Sequence, residues 1–264
     1  MKLEKERIKI IKELAKRGLS LAQISKITAI SKSTLYYHLK GIVRKCKKMD
    51  LSNLSEFERG YITGMFVGDG NFDIRKENYS YRVVFNLNRK SEQPIISHLI
   101  KILKKGGANP YVSNYRNLSK VIVVSKRLYE YLNTFVVYKK SRRGNKVINK
   151  KICIKNFSSW SKDFKFGFIS GLLDSDGYVG PHGNGIRAFI FTSSHRLATQ
   201  VYQIVKSLNL EASIRTLNPK NLWYIRIFSK SIQCEGLKSV KLMFMKKRMT
   251  MQPTQPFREL KHKY

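Results

Sequence analysis

The 264-residue sequence predicts an α+β fold in which one unit, helix–strands–helix–strands–helix, occurs twice behind an N-terminal three-helix module. Three observations predict it. A glycine-striped phrase recurs at a fixed offset, which marks an internal repeat. Apolar residues fall at helical spacing over residues 4–40. Beyond residue 55, β-branched and aromatic runs alternate with amphipathic helices. With 42% hydrophobic residues the chain can also build a sizeable core.

The N-terminal elements come first. In "KERIKIIKELAKRG", Ile8, Ile11, Leu14 and Ala15 share a helix face, and Gly18 stops the helix. Ser20 is placed to cap "LAQISKIT", and Ser31 to cap "KSTLYYHLK", which ends at Gly41. Leu21, Ile24, Ile30, Leu35 and Leu39 fall where a helix-turn-helix buries its core. This stretch resembles the helix-turn-helix of DNA-binding regulators. The resemblance implies a second helix entering the major groove with Lys32, Ser33, Thr34 and Tyr37 toward the bases. A basic connector, "GIVRKCKKMDLSNLS", follows. The expected domains are 1–48, 49–150 and 151–264.

The repeat is read directly. "GYITGMFVGDGNF" (60–72) and "GFISGLLDSDGYVG" (167–180) are offset by 107 residues, with Gly60, Ile62, Gly64, Asp69 and Gly70 over Gly167, Ile169, Gly171, Asp176 and Gly177. "VVYKK" (136–140) matches "MFMKK" (243–247) at the same offset. Strand candidates are "YSYRVVFNLNRK" and "GIRAFIFTSSH"; "QPIISHLIKILKK" and "RLATQVYQIVKSLNL" are helix candidates. Residues four apart share a helix face. Gly60, Gly64 and Gly68 in one copy, and Gly167, Gly171 and Ser175 in the other, therefore suit backbone-to-backbone packing of the two helices. Asp69 and Asp176 would then stand side by side at the helix ends, with Gly70 and Gly177 expected to end each helix in a left-handed conformation.

Two carboxylates there face the unfavourable end of the dipole and one another, which calls for a cation between them. Carboxylates and the free carbonyls of a helix end suit Mg²⁺ (or Mn²⁺), with the carbonyls of Gly68 and Ser175 as companions to the acids. Such paired sites activate water and stabilise a leaving oxygen in phosphodiester cleavage. Asp174 has Val67 as its counterpart and is given no symmetrical catalytic role.

Charge narrows the partners. There are 52 Lys plus Arg against 17 Asp plus Glu, a net +35 spread along the chain, which suits a long polyanion. Apolar runs are too short to span a bilayer, "MKLEKERIKI" lacks the apolar stretch of a signal peptide, and Cys46, Cys153 and Cys234 have no paired spacing. The expected setting is intracellular, in cytoplasm, nucleoid or an organelle matrix.

"ITGMFVGDG" (62–70) and "ISGLLDSDG" (169–177) resemble the two signatures of LAGLIDADG homing endonucleases in their single-chain, double-motif form, over roughly residues 50–255. The resemblance implies two pseudo-twofold-related αββαββα units whose saddle-shaped antiparallel sheets lie along the major groove. It implies a monomer that cuts both strands of double-stranded DNA with staggered ends, by Mg²⁺-dependent hydrolysis, in intron homing. Asp69 and Asp176 would bind metal. A basic residue near each scissile phosphate falls on Lys140 and Lys247, with Lys139 and Lys246 as alternatives. Groove-facing strand residues are Arg82, Asn86, Asn88 and Arg89 in the first half and Arg187, Ser193, Arg215 and Arg226 in the second. The alternative is a non-catalytic nucleic-acid binder on the same fold, an intron maturase or a regulator joining such a domain to a helix-turn-helix. An intein is disfavoured, because no splicing Cys or Ser opens the chain and it ends in "ELKHKY".

Overall fold

The computed structural model describes residues 4–251, apart from 18, 20, 40–48, 76–79, 144–145, 183–184, 218–221 and 233–235. The chain forms two compact units, Met1–Lys47 and Lys48–Tyr264.

The first unit holds α1 (Lys5–Lys16), α2 (Leu21–Thr28) and α3 (Lys32–Leu39). Ile11, Ile24, Leu35 and Leu39 are fully buried, with Leu14, Ala15, Leu19, Leu21 and Ile30 packed around them. The turn between α2 and α3 uses Ala29 at φ 53° and is tied by Ser25 Oγ donating to Ile30 O at 2.7 Å. Ser31 caps α3 as expected, accepting from Thr34 N at 3.3 Å. Gly18, Ser20, Gly41 and residues 41–48 of the connector lie outside the described residues.

In the second unit the repeat is present element for element. One copy runs α4 (Glu56–Asp69), β1 (Gly70–Arg75), β2 (Ser80–Asn88), α5 (Gln93–Lys105), β3 (Tyr111–Tyr115), β4 (Leu118–Val124) and α6 (Lys126–Phe135). Between the copies lies an antiparallel hairpin of β5 (Val136–Arg143) and β6 (Lys146–Ile154). The other copy runs α7 (Lys162–Ser175), β7 (Gly177–His182), β8 (Gly185–Thr192), α8 (His195–Ser207), β9 (Ala212–Leu217), β10 (Leu222–Ile227) and α9 (Ser229–Ile232). A further helix, α10 (Val240–Met251), follows. The two four-stranded antiparallel sheets have matching orders, β1-β2-β4-β3 and β7-β8-β10-β9. One continuous core runs between them and the helices, from Phe66, Phe85 and Leu99 in the first copy to Phe168, Ile190 and Val205 in the second.

The hairpin and α10 depart from the expected pattern. The border drawn at residues 150 and 151 falls inside β6, and "VVYKK" and "MFMKK" lie on a strand and a helix respectively. The sequence match between those two phrases is therefore not a match of elements.

The motif helices are well started. Ser55 and Glu58 form a reciprocal capping box on α4, Ser55 N donating to Glu58 Oε2 at 2.9 Å and Glu58 N to Ser55 Oγ at 3.2 Å. Burial works to raise the Glu58 carboxyl, but the Lys105 ammonium at 2.7 Å and the bond from Ser55 N together hold it below the usual range. Ser161 caps α7 through Phe164 N at 3.2 Å.

Candidate active site

The site is built by the contact between α4 and α7. A Cβ placed on Gly60 or Gly64 would collide with the carbonyl oxygens of Phe164 or Phe168, and one on Gly167 or Gly171 with those of Phe57 or Tyr61. Phe57 and Tyr61 correspond to Phe164 and Phe168, so the contact is reciprocal, as a pseudo-twofold axis requires. Only hydrogen fits at these four positions. The helices meet backbone to backbone, and their C-terminal ends arrive together.

The ends themselves differ from expectation in one respect. Gly70 is extended (φ −79°, ψ 154°) rather than left-handed, and Gly107 has the one positive φ among the described glycines. α4 runs straight into β1 at Gly70, and α7 reaches β7 at Gly177 after the single residue Asp176, so an extended glycine opens each strand. Glycine is required there for space. A Cβ on Gly70 would strike Phe66, and one on Gly177 would lie 2.5 Å from Leu173 Cα.

Asp69 is half-buried and Asp176 exposed. A Cβ on Gly68 would stand 3.2 Å from Asp176 Oδ2, so the second motif's carboxylate reaches the backbone beside the first motif's acid. Among the described residues no group of three or more His, Cys, Asp or Glu is placed to hold a metal. The donors are oxygens from two carboxylates, which fits an ion such as Mg²⁺ that keeps several waters and takes one or two carboxylates plus phosphate oxygens. An open cleft of about 580 Å³ lies alongside, lined by Asp69, Asn86, Asn88, Glu92, Arg116 and Ser175 among others.

The expected companion carbonyls are not equivalent. Lys241, in the first turn of α10, donates from Nζ to Ser175 O at 3.2 Å and to Gly177 O at 2.9 Å. Its ammonium also lies 3.9 Å from Glu92 Oε1. A lysine suits a helix C-terminus, and here α10 supplies it to the end of α7. Sequence reading missed both Lys241 and Glu92. Neither lies in a motif, and Lys241 is brought to the site by Asp174.

Asp174 is completely buried. Its carboxylate accepts from Tyr61 Oη at 2.9 Å, Val240 N at 2.8 Å and Lys241 N at 2.9 Å. It thus anchors the N-terminus of α10 across the α4–α7 contact, where free N–H groups favour an anion. Burial pushes the Asp174 carboxyl above its usual range, against the pull of these donors. Burial likewise drives the Tyr61 phenol well up, with Asp174 adding to the effect.

The remaining expected residues scatter. Lys140 lies on β5 and Lys247 on α10, with their side chains outside the described residues. On β2, Val83, Phe85 and Leu87 face the core, leaving Arg82, Asn86 and Asn88 on the opposite face. Arg82 pairs with Asp73 at 3.1 Å and donates to Tyr111 Oη at 2.6 Å. Asn86 Nδ2 donates to Asp69 O at 3.4 Å, tying the strand to the motif. Asn88 Oδ1 is taken up locally, accepting from Lys90 N and Ser91 N, and Arg89 is exposed in the turn that follows. In the second copy Arg187 (β8), Arg215 (β9) and Arg226 (β10) lie on their sheet, and Ser193 just past it. In the first unit Tyr37 is 76% exposed, while Ser33 and Thr34 hydroxyls engage Ser31 Oγ at 2.9 and 2.8 Å. Lys32 opens the same helix.

Comparison with known proteins agrees with this architecture. A family model described as LAGLIDADG-like domain matches residues 163–240, and one for the bacterial regulatory protein, arsR family, matches residues 4–44. An uncharacterized protein of Methanocaldococcus jannaschii is 31% identical over 189 residues, covering 66% of this chain and 61% of that protein. The chain thus spans less than two thirds of that relative's length. Among solved structures, the homing endonuclease I-DmoI in complex with DNA and Ca is similar at 16% identity and a TM-score of 0.51, covering 73% of this chain and 98% of that one. Full-length DUF199/WhiA from Thermatoga maritima is 15% identical with a TM-score of 0.46, covering 78% of this chain and 63% of that one. The chain has the LAGLIDADG fold with an N-terminal helix-turn-helix. No described helix is long and apolar enough to cross a membrane.

Proposed function

We propose that this protein is a site-specific DNA endonuclease that hydrolyses both strands of a long duplex site with a divalent metal. One observation carries the reading: glycine-only contacts bring the ends of α4 and α7 together, so that the Asp176 carboxylate lies against Gly68, beside Asp69. Asp69 and Asp176 would hold the ion, with the Gly68 carbonyl as companion. A bound Mg²⁺ or Mn²⁺ lowers the pKa of a coordinated water and offsets charge on the leaving oxygen. The chain's own contribution is to fix the two carboxylates and keep the cleft open to a phosphodiester, with Arg116 in its lining and Lys241 beside Ser175 and Glu92. Lys241 brings an ammonium to the end of the second motif helix, and Lys140 and Lys247 are the candidates from sequence. The helix-turn-helix would hold flanking duplex through Lys32, Ser33, Thr34 and Tyr37.

A second reading, a non-catalytic nucleic-acid binder, is favoured by Lys241. Its ammonium already occupies the Ser175 and Gly177 carbonyls at one motif.

Supercoiled plasmid carrying DNA from either side of the coding gene separates the two. With Mg²⁺ or Mn²⁺ the endonuclease reading expects linear product, abolished by Asp69→Asn or Asp176→Asn while binding persists. Tight binding with no cleavage under either metal would establish the second reading.

A further inference from the structure

The two sheets share a topology and differ in what they present. Register aligns them: Gly70 pairs with Phe85 as Gly177 pairs with Ile190, and Phe85 pairs with Val121 as Ile190 pairs with Ile225. On that alignment Asn71, Val84, Asn86 and Lys120 of the first sheet are replaced by Tyr178, Phe189, Phe191 and Tyr224 in the second. At these four positions the face away from the core carries Asn, Val, Asn and Lys in one copy and four aromatic rings in the other.

These rings are not the core of the second sheet. Ile186, Ala188, Ile190, Ile225 and Ile227 fill its buried face, while Phe189, Phe191 and Tyr224 are half-buried and Tyr178 is 43% exposed. The four form one patch, with centroids 6.3 Å apart for Tyr178–Phe189, 5.7 Å for Phe189–Tyr224 and 6.2 Å for Phe191–Tyr224. Tyr178 lies down over its own strand, because a Cβ on Gly180 would meet its ring carbons at 2.6 and 2.7 Å.

Arginines stand around the patch. The Arg187 guanidinium sits 5.8 Å from the Phe189 ring, Arg215 is opposite Tyr224, and Arg226 is opposite Phe189. None of the four strands contains an acid. In the first sheet Arg82 is paired with Asp73; the second has Gly180 in the place of that acid, opposite Arg187.

We propose that the outward face of the β7–β10 sheet is a stacking platform for unpaired nucleotides. Within a duplex the base faces are stacked on one another and only edges are offered, read mainly by hydrogen bonds, so that a Phe meets little there beyond a thymine methyl. Unpaired bases present their faces, which stack on aromatic side chains, while arginines hold the phosphates. The proposal rests on the reading of this chain as a nucleic-acid binder and adds a second substrate form to it, single-stranded DNA or RNA.

The test uses the full chain in EDTA, with fluorescence anisotropy of labelled oligo-dT, oligo-rU and a duplex. Wild type is expected to bind duplex and at least one single strand, the preferred arm identifying the sugar. Phe191→Leu and Tyr224→Leu keep apolar bulk and folding but lose the flat ring. Each should weaken single-strand binding by roughly 5- to 100-fold and leave duplex binding unchanged. Phe191→Tyr and Tyr224→Phe should retain it. Duplex binding without single-strand binding, or equal losses on both in the Leu variants, overturns the platform and leaves the endonuclease reading intact. Binding to neither substrate overturns both.

Discussion

At the scale of residues, repetition decided what could be read in advance. The approach of Asp176 to the end of α4 beside Asp69 was legible because the same glycine-striped phrase surrounds both acids. Asp174 was not, since its partners Val240 and Lys241 lie in a helix that the repeat does not contain. Lys241 was hidden for the same reason. The left-handed ending expected at Gly70 failed because a helix that turns directly into a strand needs an extended residue, and the glycine answers to Phe66 instead. Asp174 now carries a definite prediction. Asp174→Asn turns an NH₂ group toward donors that need an acceptor, leaving at least one of them unmet in a fully buried place. Such a loss typically costs about 1–3 kcal/mol. Urea melts should show that loss with an unchanged slope, together with weaker protection of the α10 amides from hydrogen exchange. A melt identical to wild type would mean that Asp174 does not hold α10.

At the scale of elements, periodicity served the amphipathic helices and the two sheets well. The helix expected at "QPIISHLIKILKK" spans Gln93–Lys105, and the strand candidates "YSYRVVFNLNRK" and "GIRAFIFTSSH" contain β2 and β8. The β5–β6 hairpin escaped because "KKSRRGNKVINKK" has cations where alternation would be read. Its register even sets Lys139 opposite Lys151 and Lys140 opposite Lys150, pairings that local sheet preference disfavours. The glycine stripes gave the helix contact correctly, and they permit a sharp test. A single methyl at Gly64 meets the Phe168 backbone, so Gly64→Ala must move one helix against the other. Overpacking of this kind costs about 1–3 kcal/mol. Displacement near the carboxylates should cost far more in rate, since about 1 Å of misplacement can lose on the order of 100-fold. Gly60→Ala makes the same kind of collision a turn farther from Asp69. It should match Gly64→Ala in thermal stability and exceed it in cleavage rate. Equal cleavage by the two variants would disconnect helix spacing from the site.

At the scale of the whole molecule, the net charge of +35 and the two compact units suit the proposed binding of a long polyanion. The repeat supplies two sheets of one topology, and the amino acids on them have diverged, so that Asn71, Val84, Asn86 and Lys120 stand in one where Tyr178, Phe189, Phe191 and Tyr224 stand in the other. That divergence was partly visible in "IRAFIFT", where aromatic residues alternate with aliphatic ones; in a one-sided sheet only one of those sets can be core. The helix-turn-helix is a separate unit with its own buried Ile11, Ile24, Leu35 and Leu39, a core distinct from that of the motif helices. The prediction concerns Lys32 and Tyr37, both on α3. Each phosphate neutralised by a lysine contributes about 0.9 to the slope of log affinity against log salt on duplex DNA. Lys32→Ala should therefore flatten that slope by roughly one unit. Tyr37→Ala should weaken binding without changing the slope, because a phenol releases no counterion. Both effects should appear on a long duplex and vanish on one too short to reach past the central site. Identical losses on long and short duplexes would mean that these residues serve the LAGLIDADG unit rather than an independent arm, and a slope unchanged by Lys32→Ala would remove this lysine from the phosphate contacts.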